Sequence, residues 1–196
     1  AVPLGKGFTL GIGASAPFAV DIEAQPGWAG RFQRLETKMR GINVSTALAW
    51  RLNPFIAFAA GVQAQTFEGR FEKSELLPLP GGLVETRGFL HGEGTAVGPV
   101  AGVLISPTPA TTLGIGYRSE LTHKLTGTAG TSLPFIPIES VKFDSVTPQV
   151  VSVGLEHKLT PAIRLFAEAQ WVDWSRFKGF DIAFASGRPN ELRAQS

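Results

Sequence analysis

Gly41-Ile42-Asn43-Val44-Ser45-Thr46-Ala47-Leu48-Ala49-Trp50-Arg51-Leu52-Asn53-Pro54-Phe55-Ile56-Ala57-Phe58-Ala59-Ala60-Gly61-Val62-Gln63-Ala64-Gln65 is two alternating runs joined at an Asn-Pro pair. In the first run Ile42, Val44, Thr46, Leu48 and Trp50 share a side, against Asn43, Ser45, Ala47, Ala49 and Arg51. In the second, Phe58, Ala60, Val62 and Ala64 oppose Ala59, Gly61, Gln63 and Gln65. A period of two places successive side chains on opposite faces of a pleated strand, and Asn-Pro marks a turn. The stretch therefore predicts two antiparallel strands and a tight connection.

Similar turns recur at Ser106-Pro107-Thr108-Pro109 and Leu159-Thr160-Pro161-Ala162. The flanking segments also alternate, predicting strands near Phe8 to Ala16, Lys38 to Leu52, Ile56 to Phe71, Thr95 to Ile105, Thr112 to Leu125, Gln149 to Leu159 and Ala162 to Phe177. In the fifth, Leu113, Ile115, Tyr117 and Leu121 are expected outward, and Gly114, Gly116, Arg118, Glu120, Thr122 and Lys124 inward. Between tight turns lie long connections, expected as loops over Asp21 to Thr37, Glu72 to Gly92 and Thr126 to Pro148. Short turns alternating with long loops are the pattern of an antiparallel barrel crossing a bilayer.

Composition agrees. Of the 196 residues, 17% are charged and 43% hydrophobic, yet no run approaches the ~20 apolar residues of a membrane helix. The net charge of +2 gives no footprint for nucleic acid. With no cysteine, disulfide scaffolds and thiolate metal sites are excluded. The predicted strands run about 10 to 16 residues, longer than the ~5–6 of soluble sheets. Trp50, Tyr117, Trp171, Trp174 and Phe177 fall near strand ends, as an interfacial girdle requires. The alternative consistent with the periodicity is a soluble lipid-binding β-barrel or sandwich, in which Leu113, Ile115, Val153 and Leu165 would close over one another. About seven strands do not close a bacterial barrel, which needs at least about 8. The chain opens almost inside a strand, shows no signal peptide and ends in polar residues Gly187 to Glu191. The expectation is thus one partial barrel domain over residues 1–196 that continues at both ends.

Ala16-Pro17-Phe18, Trp28-Ala29-Gly30-Arg31-Phe32-Gln33, Gly114-Ile115-Gly116-Tyr117-Arg118-Ser119-Glu120 and Trp171-Val172-Asp173-Trp174-Ser175-Arg176-Phe177, in that order and spacing, resemble the outer-membrane long-chain fatty acid transporter family, which includes importers of toluene and related hydrocarbons. The resemblance spans about Phe8 to Phe184. It implies a 14-stranded barrel plugged by an N-terminal hatch, of which this chain holds the middle strands without the hatch or the closing strands. It also implies passive uptake of fatty acids or aromatic hydrocarbons in the bacterial outer membrane, by a monomer in contact with membrane lipid.

Pro17, Phe18 and Ala19 are the first candidate site. Proline gives no N–H to a ladder and sits at strand edges, ends or bulges. Here it either kinks a continuing strand, opening a lateral gap, or ends the strand at Ala16; the resemblance implies the kink. Arg70, Lys73, Arg118 and Lys124 are candidates to pair a ligand carboxylate, since arginine does so bidentately, or are ordinary lumen charges. Leu76, Leu77, Leu79 and Leu83, with Phe135 and Ile136, lie in loops too apolar for plain exposure and are candidates for ligand capture. His91, His123 and His157 are too scattered for a metal site, and His123 and His157 are expected on the lipid side. No enzyme motif is present, and no cofactor or metal is predicted.

Overall fold

The computed structural model describes residues 1–176 and 182–187. Phe177, expected to end the seventh crossing, lies outside them, as do residues 188–191 of the polar terminus. The described residues form one antiparallel sheet of eleven strands. In order they are β1 (Val2–Gly5), β2 (Phe8–Glu23), β3 (Glu36–Arg51), β4 (Ile56–Leu79), β5 (Gly82–Thr108), β6 (Thr111–Arg118), β7 (Leu121–Thr131), β8 (Glu139–Thr147), β9 (Val150–Lys158), β10 (Arg164–Val172) and β11 (Ile182–Phe184). The main ladder runs β1-β2-β3-β4-β5-β6-β9-β10, while β7 pairs with β5 and β8, and β11 with β8. The β6–β7, β8–β9 and β10–β11 pairs each continue one crossing, so seven crossings follow the short β1. Among the described residues the ladder does not close on itself.

One face of the lower sheet is apolar and uncovered. Ile115, Val153 and Leu165 are 41%, 40% and 52% exposed, so they do not form the sealed nucleus of a soluble sandwich. On β4 the outward residues are Phe58, Ala60, Val62 and Ala64, then Thr66, Glu68 and Arg70. On β3 they are Trp50, Leu48, Val44 and Ile42, then Arg40 and Lys38. An apolar stretch of about ten residues at ~3.4 Å each, tilted by ~40°, rises ~25 Å, the height of a membrane barrel's lipid-facing band.

The three proline-containing turns expected from the sequence, at 52–55, 106–110 and 159–163, lie at one end of the sheet. Two of the expected loops do not exist as loops. Residues 72–92 are mostly strand: β4 runs 24 residues and β5 27, pairing without interruption from Ile56↔Ile105 to Leu79↔Gly82. Gly81 and Gly82 close this hairpin with φ of 115° and 131°, values open to glycine. Likewise residues 126–148 are mostly β7 and β8, paired from Leu121↔Thr147 to Ala129↔Glu139. The connection after β2 is a loop, narrower than expected and confined to 24–35. It is strapped to the hairpin: Leu35 N donates to Glu72 O at 2.7 Å, Ser74 N to Arg31 O at 2.8 Å, and the Arg31 guanidinium grips both Glu85 oxygens at 2.6 and 3.1 Å. That pair holds the Glu85 carboxyl below the usual carboxylate range.

Two bulges shift side-chain phase. From Ser15 to Phe18 β2 advances three residues, while its partner covers two, Asn43 to Gly41. From Glu93 to Val100 β5 advances seven residues, while the β6–β7 crossing covers eight, Arg118 to Thr126. One extra residue moves every later side chain to the other face. This corrects the fifth crossing: Ile115 and Tyr117 face out as expected, but Leu121, His123 and Leu125 are buried inside while Thr122 and Lys124 are exposed. His123 is therefore interior, not lipid-facing.

Candidate functional site

The registers stack the interior into layers. In the second layer from the tight turns the inward residues are small: Ala49 (β3), Ala59 (β4), Gly102 (β5), Gly116 (β6) and Ser152 (β9) are linked by successive ladder pairs. A cavity of about 330 Å³ opens here, with Gly114, Gly154 and Glu168 on its wall. Further up, Ser45 and Gln63 share a rung, as do Leu121 and Thr147. The next layer holds Asn43 and Gln65 on one pair of strands and His123 and Ser145 on another. Above it the interior turns apolar: Phe67, Leu90, Leu125, Ala129, Val141, Phe143 and Ile182 form the buried core.

The polar layers are linked by hydrogen bonds. Asn43 Nδ2 donates to Gln63 Oε1 at 2.9 Å, Gln63 Nε2 to the Ser119 carbonyl at 3.1 Å, and Thr147 Oγ1 to Gln65 Oε1 at 3.1 Å. Asn43 Oδ1, Gln65 Nε2, both His123 ring nitrogens and Ser145 Oγ have no partner among the described residues. The layer thus keeps unspent hydrogen-bonding capacity facing inward. Sequence reasoning set Asn43, Gln63 and Gln65 on the inner face but did not single them out. Three amides at alternating positions among alanine and glycine were the available signal.

Beside this polar layer, and reaching past it to Met39 and Phe67, lies a cavity of about 670 Å³, within the size range of ligand sites. Its wall is mostly apolar, including Phe18, Val20, Met39, Phe67, Val100, Val150, Val172 and Trp174, with Ser45, Thr147, Ser152 and Gln170 as neutral polar groups. Among the described residues Arg118 is the one charged side chain on the wall, and it makes no hydrogen bond or ion pair with any of them. Glu120, the nearest acid in sequence, is taken by Arg176 at 3.0 Å.

Pro17, Phe18 and Ala19 all border this cavity. The strand does not end at Ala16: β2 continues to Glu23, with Pro17 inside the bulge and the Phe18 ring 6.1 Å from Trp174, edge to face. Of the four candidate cations only Arg118 reaches the cavity. Arg70 pairs with Glu72 at 2.8 Å and Lys73 with Glu75 at 3.2 Å on the long hairpin. Lys124 faces outward, across the rung from Asp144. Leu76, Leu77, Leu79 and Leu83 are strand residues near the hairpin tip, with Leu76 and Leu83 exposed. Phe135 is exposed and Ile136 half-buried in the connection 132–138. The structure brings none of these six to the cavity wall.

A family model described as an outer membrane protein transport protein (OMPP1/FadL/TodX) matches residues 1–195. Among solved structures, a Pseudomonas aeruginosa FadL homologue superposes with a TM-score of 0.85 at 21% identity, covering 95% of this chain and 50% of that one. The CymD monoaromatic hydrocarbon channel superposes with a TM-score of 0.60 at 18% identity, covering 93% of this chain and 56% of that one. The chain thus spans about half the length of these structures, and at such identities the likeness is one of fold. No curated protein matches it.

Proposed function

This chain belongs to the outer membrane protein transport family of OMPP1, FadL and TodX, and from that premise we propose that the protein carrying it imports hydrophobic compounds passively across the bacterial outer membrane, long-chain fatty acids first among them. The family is one of transporters, not enzymes. The observation that carries the proposal is the cavity of about 670 Å³ running between apolar walls from the Pro17 bulge to Arg118, which has no partner among the described residues. An acyl chain lies against Phe18, Val20, Val150 and Val172, and its carboxylate meets the guanidinium. The same wall supports a lateral exit at Pro17 to Ala19, since the bulge interrupts the ladder where cavity and lipid-facing band adjoin.

Monoaromatic hydrocarbons, which CymD is described as conducting, are the competing class. A neutral hydrocarbon leaves Arg118 without a counterion, and Arg118 is why we place fatty acids first. The test uses the full-length protein in cells lacking their own fatty-acid importer. Replacing Pro17 to Ala19 with a regular alternating strand should cut oleate uptake several-fold while heat-dependent gel migration shows a folded barrel. Unchanged uptake by that folded variant would rule out the lateral exit there.

A further inference from the structure

The wall has a second place where its ladder fails. Between Glu93↔Thr126 and Val100↔Arg118, no residue of β5 from Gly94 to Pro99 pairs with the β6–β7 crossing. On the opposite edge of that crossing the ladder skips from Leu121↔Thr147 to Arg118↔Val150, leaving out Pro148 and Gln149. Pro99 and Pro148 have no N–H to donate, so Ser119 and Glu120 lose rungs on both sides at one height. The segment holds one neighbouring backbone bond there, Ser119 N to Pro99 O at 3.2 Å.

A side chain from two strands away closes this gap. Gln63 of β4 reaches past β5 to the Ser119 carbonyl at 3.1 Å and is itself oriented by Asn43 at 2.9 Å. Both amides are fully buried. At the lower end of the gap the cavity touches Val100, Ala101, Tyr117 and Arg118. On the outer surface beside it Val97 is 67% exposed and Tyr117 40%, within the lipid-facing band. The gap therefore separates the cavity from hydrocarbon by one strand edge, and a buried amide relay supplies the bonds the backbone lacks.

We propose that this seam between β5 and the β6–β7 crossing is a second side port through which hydrophobic solute passes between cavity and bilayer, with Gln63 as its latch. The proposal rests on the import function above. It assigns Gln63 a positioning role, and a solute leaving here needs no movement at Pro17.

A reversible lock tests it. The register above the bulge, continued downward, sets outward-facing Val97 across from Thr122. In the full-length protein, Val97→Cys with Thr122→Cys is introduced alone and together with the Pro17–Ala19 replacement, and uptake of radiolabelled oleate is measured before and after oxidation. We expect the replacement to leave residual uptake, oxidation to lower that residue at least threefold, and reductant to restore it. Gln63→Leu, free of any disulfide, should raise uptake at least twofold in the replacement background. Unchanged uptake with the cross-link verified by mass spectrometry overturns the seam while leaving import intact. Complete loss of uptake on the Pro17–Ala19 replacement alone also overturns it, since Pro17 is then the sole exit. No oleate uptake by the parent protein above empty vector removes both proposals together.

Discussion

Arg118→Gln separates a carboxylate site from a generic greasy cavity. The guanidinium borders the cavity with no partner among the described residues, so the substitution breaks no internal ion pair and leaves no carboxylate stranded. A hydrogen bond to a charged group contributes about 1.5–3 kcal/mol, and each ~1.4 kcal/mol is tenfold in affinity. Oleate should therefore bind about 10- to 150-fold more weakly, nearer the lower figure because Arg118 is half-buried and partly screened by water. Methyl oleate keeps the chain but offers a neutral carbonyl; at about 0.5–1 kcal/mol its affinity should change about two- to fivefold. Displacement of a fluorescent fatty acid from the detergent-solubilised full-length protein measures both ligands. Equal losses for acid and ester would refute a carboxylate contact at Arg118, and so would an undiminished affinity for oleate.

Two further outcomes follow from the packing. Leu125 is 1% exposed inside the apolar core, so Leu125→Ala should destabilise by about 2–5 kcal/mol, transfer and cavity together, whereas lipid-facing Leu165→Ala should lose only the transfer of its methyl groups into hydrocarbon, about 1–2 kcal/mol, since acyl chains fill the space; urea unfolding in vesicles compares them, and a larger cost at Leu165 than at Leu125 would contradict the assigned faces. The strap between loop 24–35 and the long hairpin should depend on acid. The Arg31 hydrogen bond holds Glu85 below its ordinary value, so the strap's contribution is complete above the unfolded pKa of about 4.3 and is lost as pH falls through the lower folded value. Proteolysis at Trp28 to Arg34 should thus be flat from neutral pH to about 5 and rise below about 4 in an acid-active protease, and a rise between pH 7 and 5 would count against the strap.

The alternation of Ile42 to Trp50 and Phe58 to Ala64 made strands, faces and turns legible, because a lipid-facing strand must repeat every two residues. Three things escaped. The hairpin over 72–92 carries Pro78, Pro80, Gly81 and Gly82 among leucines, a composition that reads as a loop. Its strands persist because both partners extend together through every rung to Leu79↔Gly82. The bulge at Ser119–Glu120 escaped because Leu121 and Leu125 preserve an apolar alternation whichever side they face, and only the partner register reveals the slip. Arg70, Lys73 and Arg118 are equivalent in sequence; Glu72 and Glu75 beside the first two, and no acid on the cavity wall among the described residues, distinguish them only once the strands are aligned.

The two bulges and the two unbulged strands answer one requirement. Near the tight turns the outer face meets lipid and the inner face an open cavity; toward the far end the outer face meets water and the inner face packs as a core. Each strand must exchange its apolar side at that height. β3 and β4 keep their phase and change residue type, passing outward from Ile42 to Arg40 and from Ala64 to Glu68, and inward from Asn43 to Met39 and from Gln65 to Phe67. β2 and the β6–β7 crossing keep their apolar alternation and change phase. Ile12 faces out and Phe18 in, and Ile115 faces out while Leu121 and Leu125 face in. The extra residue turns a lipid-facing row into a core-facing one without altering the pattern, and each time the ladder is broken beside the cavity. The ladder is weakest at these heights because that is where the strands change solvent, so the two proposed side exits, at Pro17 and at Ser119, have a common physical origin.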